Sequence, residues 1–460
     1  MAALDHILAD IDRDLDGSLE RLFALLRIPS ISTDPAYAAE CRRAAEWLRG
    51  DLAAIGFEAS LSETGGHPVV LAHHQKPGAP HVLFYGHYDV QPVDPLDLWE
   101  TPPFEPRMAR LDDGRTVISA RGACDDKGQV MTFIEACRAW KAVEGDLPVG
   151  VTILIEGAEE NGSEHLPEWV AANRDALKAD LALVCDTGMW DRDTPAITSS
   201  LRGLAYFEVF VTCADRDLHS GLFGGAAANP IRVLSRIVAD LHDADGRVTL
   251  PGFYDGVRDT PPEVLAQWRD LDLTPESFLG TVGLSLPAGE RGRMLIEQIQ
   301  SRPTCDVNGI VGGYTGEGTK TVIAARASAK ISFRLVDDQD PEALAESFRA
   351  FVQARIPADC SVEIVTHKGS RAIALPFDMP ALNAAKAALA QEWGRAPVTI
   401  GSGGSIPIVG DFKRSLGLDT LLVGFGLDDD RVHSPNEKYD LQSFHKGTRS
   451  WARILAALAA

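Results

Sequence analysis

The sequence predicts an α/β fold with a mostly parallel sheet flanked by helices, into which a smaller α+β domain is inserted. Three observations support this fold class. Short apolar runs alternate with helical segments over the first 200 residues, the middle of the chain has a different pattern, and the last part returns to the first pattern. Strands that alternate with helices are typical of a largely parallel sheet. At ~150 residues per domain, 460 residues predict two or three domains.

The first part of the chain begins with helical patterns. About the first 30 residues predict one amphipathic helix that ends before Pro29, and residues 38–55 predict a second helix that ends at Gly56. Residues 126–142 also have a helical pattern. The apolar runs that predict strands are 69–72, 81–85, 149–155, 181–184 and 420–423.

The middle of the chain predicts two helices on one side of a small antiparallel sheet. A long stretch there, 248–303, is rich in turn residues. Because strand 420–423 and helix 441–458 resume the first pattern, the middle module is interpreted as an insertion. Its predicted strands are 205–213, 330–336 and 361–367, and its predicted helices are 229–241 and 341–355.

Charge and cysteine content exclude several classes of protein. With 44 Lys and Arg against 66 Asp and Glu, the net charge of −22 argues against nucleic-acid binding and against anionic membrane surfaces. We find neither an apolar run of ~18 residues nor a secretory signal, so no membrane partner is expected. The seven cysteines are scattered without a C-x-x-C pair. They predict neither a disulfide framework nor a structural zinc site, and a reduced cytoplasm is expected.

Five short polar motifs follow the predicted strands or the turns after them. In open α/β sheets, ligands bind at the carboxyl ends of the strands, so these motifs are expected to converge. Taken singly, each has an ordinary explanation such as surface polarity, a helix cap or a turn histidine, and only their joint placement predicts a site. The motif residues are His87 and Asp89, Asp125 and Asp126, Glu159 and Glu160, Asp186, and His433.

Two histidines with at least four carboxylates predict a particular kind of metal centre. This ligand set suits Zn, Mn or Co rather than a thiolate zinc finger. One carboxylate that bridges two ions, with a histidine and a further carboxylate on each, would form a dinuclear hydrolytic centre. Of the adjacent pair Glu159 and Glu160, one would bind metal and the other would take a proton from water.

The ordered motifs also carry a family resemblance that spans roughly residues 20–450. They resemble the co-catalytic zinc exopeptidases of the carnosinase and aminoacylase clan, with its glutamate carboxypeptidase relatives. The last two motifs are similar to those of the carnosinase-like dipeptidase branch. The motifs are GHYDVQP, RGACDDKGQ, EGAEENGSEH, CDTG, DLHSGLFGG, GGSIP and HSPNEK.

This resemblance implies two divalent metal ions per subunit, Zn or Mn, with Asp125 as the bridging ligand. Glu159 would be the general base, and Asp89 would orient the first histidine ligand. A cis peptide bond would follow Asp125. The implied ligands are His87, Asp125 and Asp186 for one ion, and Asp125, Glu160 and His433 for the other.

The resemblance also implies a division of labour along the chain. Residues 1–200 and 376–460 would form the catalytic domain, and residues 201–375 would form an inserted lid and dimerisation domain. His219 would reach into the site of the partner in a homodimer and polarise the scissile carbonyl. The residues that would hold the substrate carboxylate are Thr321, Arg334, Gly404 and Ser405.

The predicted function is metal-dependent hydrolysis of the amide bond in dipeptides or very short peptides that have a free C-terminal carboxylate. An alternative is an N-acyl- or N-carbamoyl-amino-acid amidohydrolase that uses the same metal site. A second alternative, from another class, is a catalytically silent metal-binding or scaffold protein. That alternative predicts missing metal ligands, and none of the expected positions is lost.

Overall fold

The computed structural model describes residues 2–375, 379–402 and 406–459. The chain divides into two compact units. The first consists of Met1–Ser199, Leu375–Ile400 and Pro407–Ala460, and the second of Ser200–Ala374 and Gly401–Ile406. Within the described ranges, no helix combines the length and the apolar composition needed to cross a membrane.

The first unit is built on a large mixed sheet, here called the main sheet. Its central strands are parallel, and antiparallel pairs lie toward both edges. The predicted strands all form, with ends that move by up to two residues. In spatial order they are Glu58–Ser62, Val69–His74, Gly150–Glu156, His81–His87, Leu181–Val184, Thr420–Leu422 and Ala196–Leu201, with Val398–Ser402 paired to the last. The short strand Ile373–Ala374 of the second unit pairs with Ser200 and Leu201, which also belong to that unit.

The helices of the first unit differ from the prediction at the start of the chain. The single helix expected there is interrupted at Asp14, although the apolar spacing continues across the interruption. A small antiparallel sheet of Arg107–Arg110, Thr116–Ser119 and Lys438–Asp440 also belongs to this unit. The helices are Ala2–Arg13, Leu15–Leu26, Ala38–Ala54, Lys127–Glu144, Leu166–Ala172, Pro380–Trp393, Pro407–Asp411 and Leu441–Leu458.

Aromatic packing fixes the two long helices of the first unit against the main sheet. Phe84, on a central strand, stacks on Phe133 of helix Lys127–Glu144 with ring centroids 3.8 Å apart. Trp451 of helix Leu441–Leu458 meets both rings edge-on. Such large apolar rings contribute much of the burial energy in a core. The strand ends that carry the polar motifs are thereby held on a rigid support.

The second unit is an α+β module around an antiparallel sheet, here called the lid sheet. Helices Pro230–Ala239 and Pro341–Gln353 contribute to a core formed with one face of this sheet, as the alternating pattern predicts. The turn-rich stretch contains the short helices Pro262–Arg269 and Pro275–Leu279, and Ser220–Phe223 is another short helix. The lid sheet runs Thr304–Gly312, Arg326–Leu335, Gly203–Thr212 and Ser361–Thr366, and a separate ladder pairs Leu218–His219 with Val322–Ile323.

One cysteine pair departs from the expectation of free thiols. Cys213 and Cys360 form a disulfide across two strands of the lid sheet. The register pairs Ser361 with Thr212, which brings the two neighbouring cysteines opposite each other. They are 147 residues apart in sequence. Their spacing therefore gave no sign of this pairing.

A buried carboxylate, Glu437, ties together two loops of the first unit. It accepts hydrogen bonds from the backbone N–H groups of Gly122 (2.9 Å), Cys124 (2.9 Å) and Asp125 (3.0 Å). It also forms a buried ion pair with Arg121 at 2.8 Å. Glu437 lies four residues after His433 in sequence. The loop of the second histidine is thereby fixed to the turn that contains Asp125.

Replacing Glu437 with Ala is expected to lower the free energy of unfolding by ~3–5 kcal/mol. The substitution leaves the Arg121 guanidinium and three backbone N–H groups buried without their acceptor. Urea denaturation of the metal-free protein measures the loss. The control is Glu100→Ala, an exposed side chain that should change stability by less than ~0.5 kcal/mol. A loss below ~1 kcal/mol for the Glu437 variant would contradict this account.

Candidate metal centre

The predicted motif residues of the first unit lie together at one edge of the main sheet. Strands Gly150–Glu156, His81–His87 and Leu181–Val184 are parallel neighbours, so their carboxyl ends point to the same edge. His87 is the last residue of its strand, and the other motifs follow their own strands. This arrangement is the one expected for a ligand site in an open α/β sheet.

The first histidine is held with one ring nitrogen free to bind a ligand. His87 is completely buried, and its Nδ1 lies 3.1 Å from the backbone oxygen of Asp89 and 3.3 Å from the Asp89 carboxylate. Both partners are acceptors, so in the neutral ring Nδ1 carries the proton and Nε2 presents its lone pair. This buried Nε2 lies 3.1 Å from Asp125 Oδ1 but has no hydrogen bond within the described part of the chain.

Asp125 lies between the two histidines. One of its oxygens faces His87, and the other lies 2.9 Å from His433 Nε2. His433 Nε2 is also 3.2 Å from Glu160 Oε2. These side chains form two groups of potential metal ligands, and Asp125 belongs to both. In each group, one ligand atom from every residue lies within 4.8 Å of the others. The groups are His87, Asp125 and Asp186, and Asp125, Glu160 and His433.

The chemistry of these side chains fits a pair of cations. In the neutral ring the lone pair of His87 Nε2 would face an anionic oxygen at 3.1 Å, which favours a positive charge between the two atoms. Burial opposes the charged imidazole, but Asp125 and Asp89 outweigh it and raise the pKa of His87. Burial and the neighbouring charge of Asp125 raise the pKa of Asp186. Burial acts on Asp125 in the same direction, but the adjacent imidazoles of His433 and His87 outweigh it and lower the pKa of Asp125. Divalent cations would stabilise both carboxylates in their ionised form.

Glu159 lies beside the cluster but belongs to neither ligand group among the described residues. Burial, together with the charges of Asp186 and Asp89, raises the pKa of Glu159 to about 8. The carboxylate of Asp89 accepts the backbone N–H groups of Glu159 (3.3 Å) and Glu160 (3.0 Å). Asp89 therefore fixes both His87 and the acidic turn.

Three further residues support the site, and none of them was assigned a role from the sequence. Gln91 donates a hydrogen bond to Glu160 Oε2 at 2.7 Å. Asp126 is buried and accepts the backbone N–H of His87 at 3.1 Å. Glu437 fixes the turn described above. All three stood inside quoted motifs, but nothing in the sequence shows which of their side chains point inward. The peptide bond between Asp125 and Asp126 is cis, as the resemblance implied.

The candidate residues of the second unit lie at two separate positions. His219 is exposed and pairs with Val322 in a short antiparallel ladder. Thr321, the residue before Val322, therefore lies close to His219. Ser220 N–H donates to the Thr321 carbonyl at 3.0 Å. Arg334 is half-buried near the opposite end of the lid sheet. Gly404 and Ser405 lie outside the described residues.

Comparison with known proteins identifies the family. The family model "Peptidase family M20/M25/M40" matches residues 83–457. The Cys-Gly metallodipeptidase dug1 of Schizosaccharomyces pombe is 31% identical and covers 99% of this chain and 98% of its own. The human Beta-Ala-His dipeptidase is 32% identical over 85% of this chain and 78% of its own.

A solved structure extends the similarity to the fold. The M20 family metallo-carboxypeptidase Sso-CP2 from Sulfolobus solfataricus has a TM-score of 0.80 and 31% identity, and covers 96% of this chain and 99% of that one. The fold class, the family and the dipeptidase branch predicted from the motifs are confirmed. The chain belongs to peptidase family M20/M25/M40, and its relatives along nearly its whole length include metallodipeptidases.

Proposed function

We propose that this protein is a dinuclear metallo-dipeptidase that hydrolyses the amide bond of dipeptides or very short peptides with a free C-terminal carboxylate. The observation that supports it most directly is the pair of ligand groups that share Asp125, with the additional carboxylate of Glu159 beside them. A dinuclear hydrolase needs a bridging ligand, two sets of terminal ligands and a free base.

We assign the ligands as the resemblance implied. His87 and Asp186 would hold one ion, Glu160 and His433 would hold the other, and Asp125 would be shared between them. The ions would be Zn or Mn, as the resemblance implies, and ligand groups of nitrogen and oxygen donors without a thiolate suit these metals. When bound, the two ions supply the positive charge that makes water nucleophilic at neutral pH. A cytoplasmic location remains a prediction from the sequence.

The residues around the centre divide the chemistry between them. Glu159 takes a proton from the attacking water and returns it to the leaving amine. A pKa raised toward neutrality suits a group that must both accept and release a proton. Asp89 keeps His87 in the tautomer that presents Nε2, and it fixes the turn of Glu159.

His219 has the tautomer that an oxyanion donor requires. Its Nδ1 accepts the backbone N–H of Gly221 at 3.0 Å, so in the neutral ring Nε2 carries the proton. The ring is exposed, and Nε2–H can donate to a carbonyl oxygen as negative charge develops there. Arg334 and the 404–405 segment bind the substrate carboxylate, with Thr321 as a further contact.

The distance between these groups supports a homodimer. Ala325 N–H donates to Asp217, so His219 lies near the Arg326 end of strand Arg326–Leu335. Arg334 is eight residues further along that strand, which corresponds to ~26 Å. A dipeptide spans only ~7 Å. Both groups can therefore serve one substrate only if His219 and Thr321 come from a second copy of the chain.

Activity is expected to depend on metal and on a free amino group. Chelation should abolish cleavage of free dipeptides such as Cys-Gly and β-Ala-His, and Zn²⁺ or Mn²⁺ should restore it, because the ions supply the charge for hydrolysis. A product assay compares these peptides with their N-acetyl and N-carbamoyl counterparts. Cleavage of the blocked set alone would indicate the amidohydrolase. No cleavage of either set would contradict the proposed function.

Glu159→Gln is expected to lower kcat by ~10²–10⁴ while the protein keeps two metal ions, because it removes the base and no ligand. Glu160→Gln is the matched variant on the neighbouring residue, and it should lose metal. Steady-state kinetics and elemental analysis of metal content measure the two effects. Metal loss in the Glu159 variant, with retention in the Glu160 variant, would mean that the two roles are exchanged.

His219→Ala is expected to lower kcat by ~10²–10³ without changing metal content, because it removes the oxyanion donor. Mixing this variant with Glu159→Gln tests whether His219 acts in the partner. In mixed dimers, one site combines an intact Glu159 with an intact His219 from the other subunit. Random exchange of subunits should then restore about a quarter of the wild-type activity.

The control for this mixture pairs His219→Ala with the double variant that lacks both groups, and it should remain inactive. Mass photometry monitors dimer formation and subunit exchange. If verified mixed dimers show no recovery of activity, His219 does not act across the dimer.

A further inference from the structure

A half-buried cationic group at the start of the lid sheet is not used by the mechanism above. Arg202 precedes strand Gly203–Thr212, and its backbone N–H donates to the Ser402 carbonyl at 3.2 Å. Its side-chain Nε is buried and has no hydrogen-bond partner among the residues that the structure describes. Leaving a charged donor buried and unpaired is costly, so this position favours an anionic ligand.

The register of the lid sheet brings Arg202 close to Arg334. Leu204 lies directly opposite Arg334. Side chains alternate along a strand, so Arg202, two residues before Leu204, points to the same face as Arg334. Diagonal neighbours of this kind lie ~7–8 Å apart, within reach of two long side chains. The adjacent residues Ala205 and Phe333 face the buried core, so both arginines lie on the opposite face.

The charges at this position are unbalanced. Burial and the charge of Arg334 lower the pKa of Arg202 to about 10, and Asp306 acts in the opposite direction. Within the described part of the chain, neither arginine forms an ion pair. Thr304 lies opposite Arg334, so Asp306, two residues on, shares this face. Two guanidinium groups and one carboxylate leave one positive charge, which a single monoanion would neutralise.

We propose that Arg202 is a second guanidinium of the substrate carboxylate site and shares the C-terminal carboxylate of the dipeptide with Arg334. This inference rests on the proposed function, because Arg334 receives its role there. A carboxylate offers about four lone pairs on two oxygens, enough to accept hydrogen bonds from two guanidinium groups. The pair would thus select peptides that end in a free carboxylate.

The test compares a free dipeptide with its C-terminal amide. The peptide is the one that the wild type cleaves fastest in the product assay. Arg202→Gln is expected to lower kcat/KM for the free acid roughly 10- to 100-fold, mainly through KM, and to change kcat/KM for the amide by less than about threefold. Arg202→Lys keeps the charge without the planar fork and should give an intermediate loss.

The matched control is Arg326→Gln, an exposed arginine at the other end of the strand that holds Arg334. It should leave the kinetics of both substrates unchanged. Thermal unfolding without substrate adds an independent readout. Arg202→Gln removes a partly buried charge whose Nε is unpaired, and it should leave Tm unchanged or raise it.

The outcomes separate this inference from the proposed function. If the wild type cleaves no free dipeptide, the proposed function is wrong and the inference falls with it. If the wild type is active but Arg202→Gln leaves cleavage of the acid unchanged, or slows the acid and the amide equally, Arg202 does not bind the carboxylate. A lower Tm together with an equal loss on both substrates would indicate a structural role only.

Discussion

The geometry of the metal centre depends on the buried carboxylate of Glu437. It accepts three backbone N–H groups from the turn that contains Asp125 and pairs with Arg121, so two loops distant in sequence are held as one piece. Asp125 faces both histidines, and a small shift of its turn would separate the two ligand groups. The low dielectric around Glu437 strengthens these bonds and makes the loss of any one of them costly. The rigid main sheet positions the strand ends, and Glu437 holds the two loops in a fixed position relative to them.

A second constraint is the negative charge stored at the carboxyl edge of the main sheet. Asp125, Asp186, Glu159 and Glu160 lie close together, and burial opposes the ionised form of several of them. Without cations, this cluster is electrostatically unfavourable. Bound cations would relieve it, so metal affinity and the stability of the first unit are expected to be coupled. The cluster therefore favours metal binding, and it lowers the stability of the metal-free first unit.

The lid sheet separates the groups that we assign to the substrate. His219 and Thr321 lie near one end of strand Arg326–Leu335, and Arg334 with Arg202 lies near the other. A strand cannot bend to bring its ends together, so one chain cannot apply both groups to one dipeptide. The same separation leaves each end free for a different task. In this proposal, the arginine end fixes the carboxylate, and the histidine end acts on the carbonyl of a substrate held by another copy.

The sequence by itself determined the fold class, most of the strands, helix Leu441–Leu458 and the chemistry of the metal centre. Those features are local, because apolar periodicity and polar residues after strands can be recognised within a few residues. Tertiary structure alone decided which carboxylates turn inward at Glu437 and Asp126, and how Cys213 meets Cys360 over 147 residues. It also decided that Arg202 lies beside Arg334 with its Nε unpaired among the described residues. These features depend on register between distant strands and on burial. No local pattern in the sequence encodes them. A charged residue on the surface is solvated and has little structural effect, whereas the same residue in a buried position must find a partner.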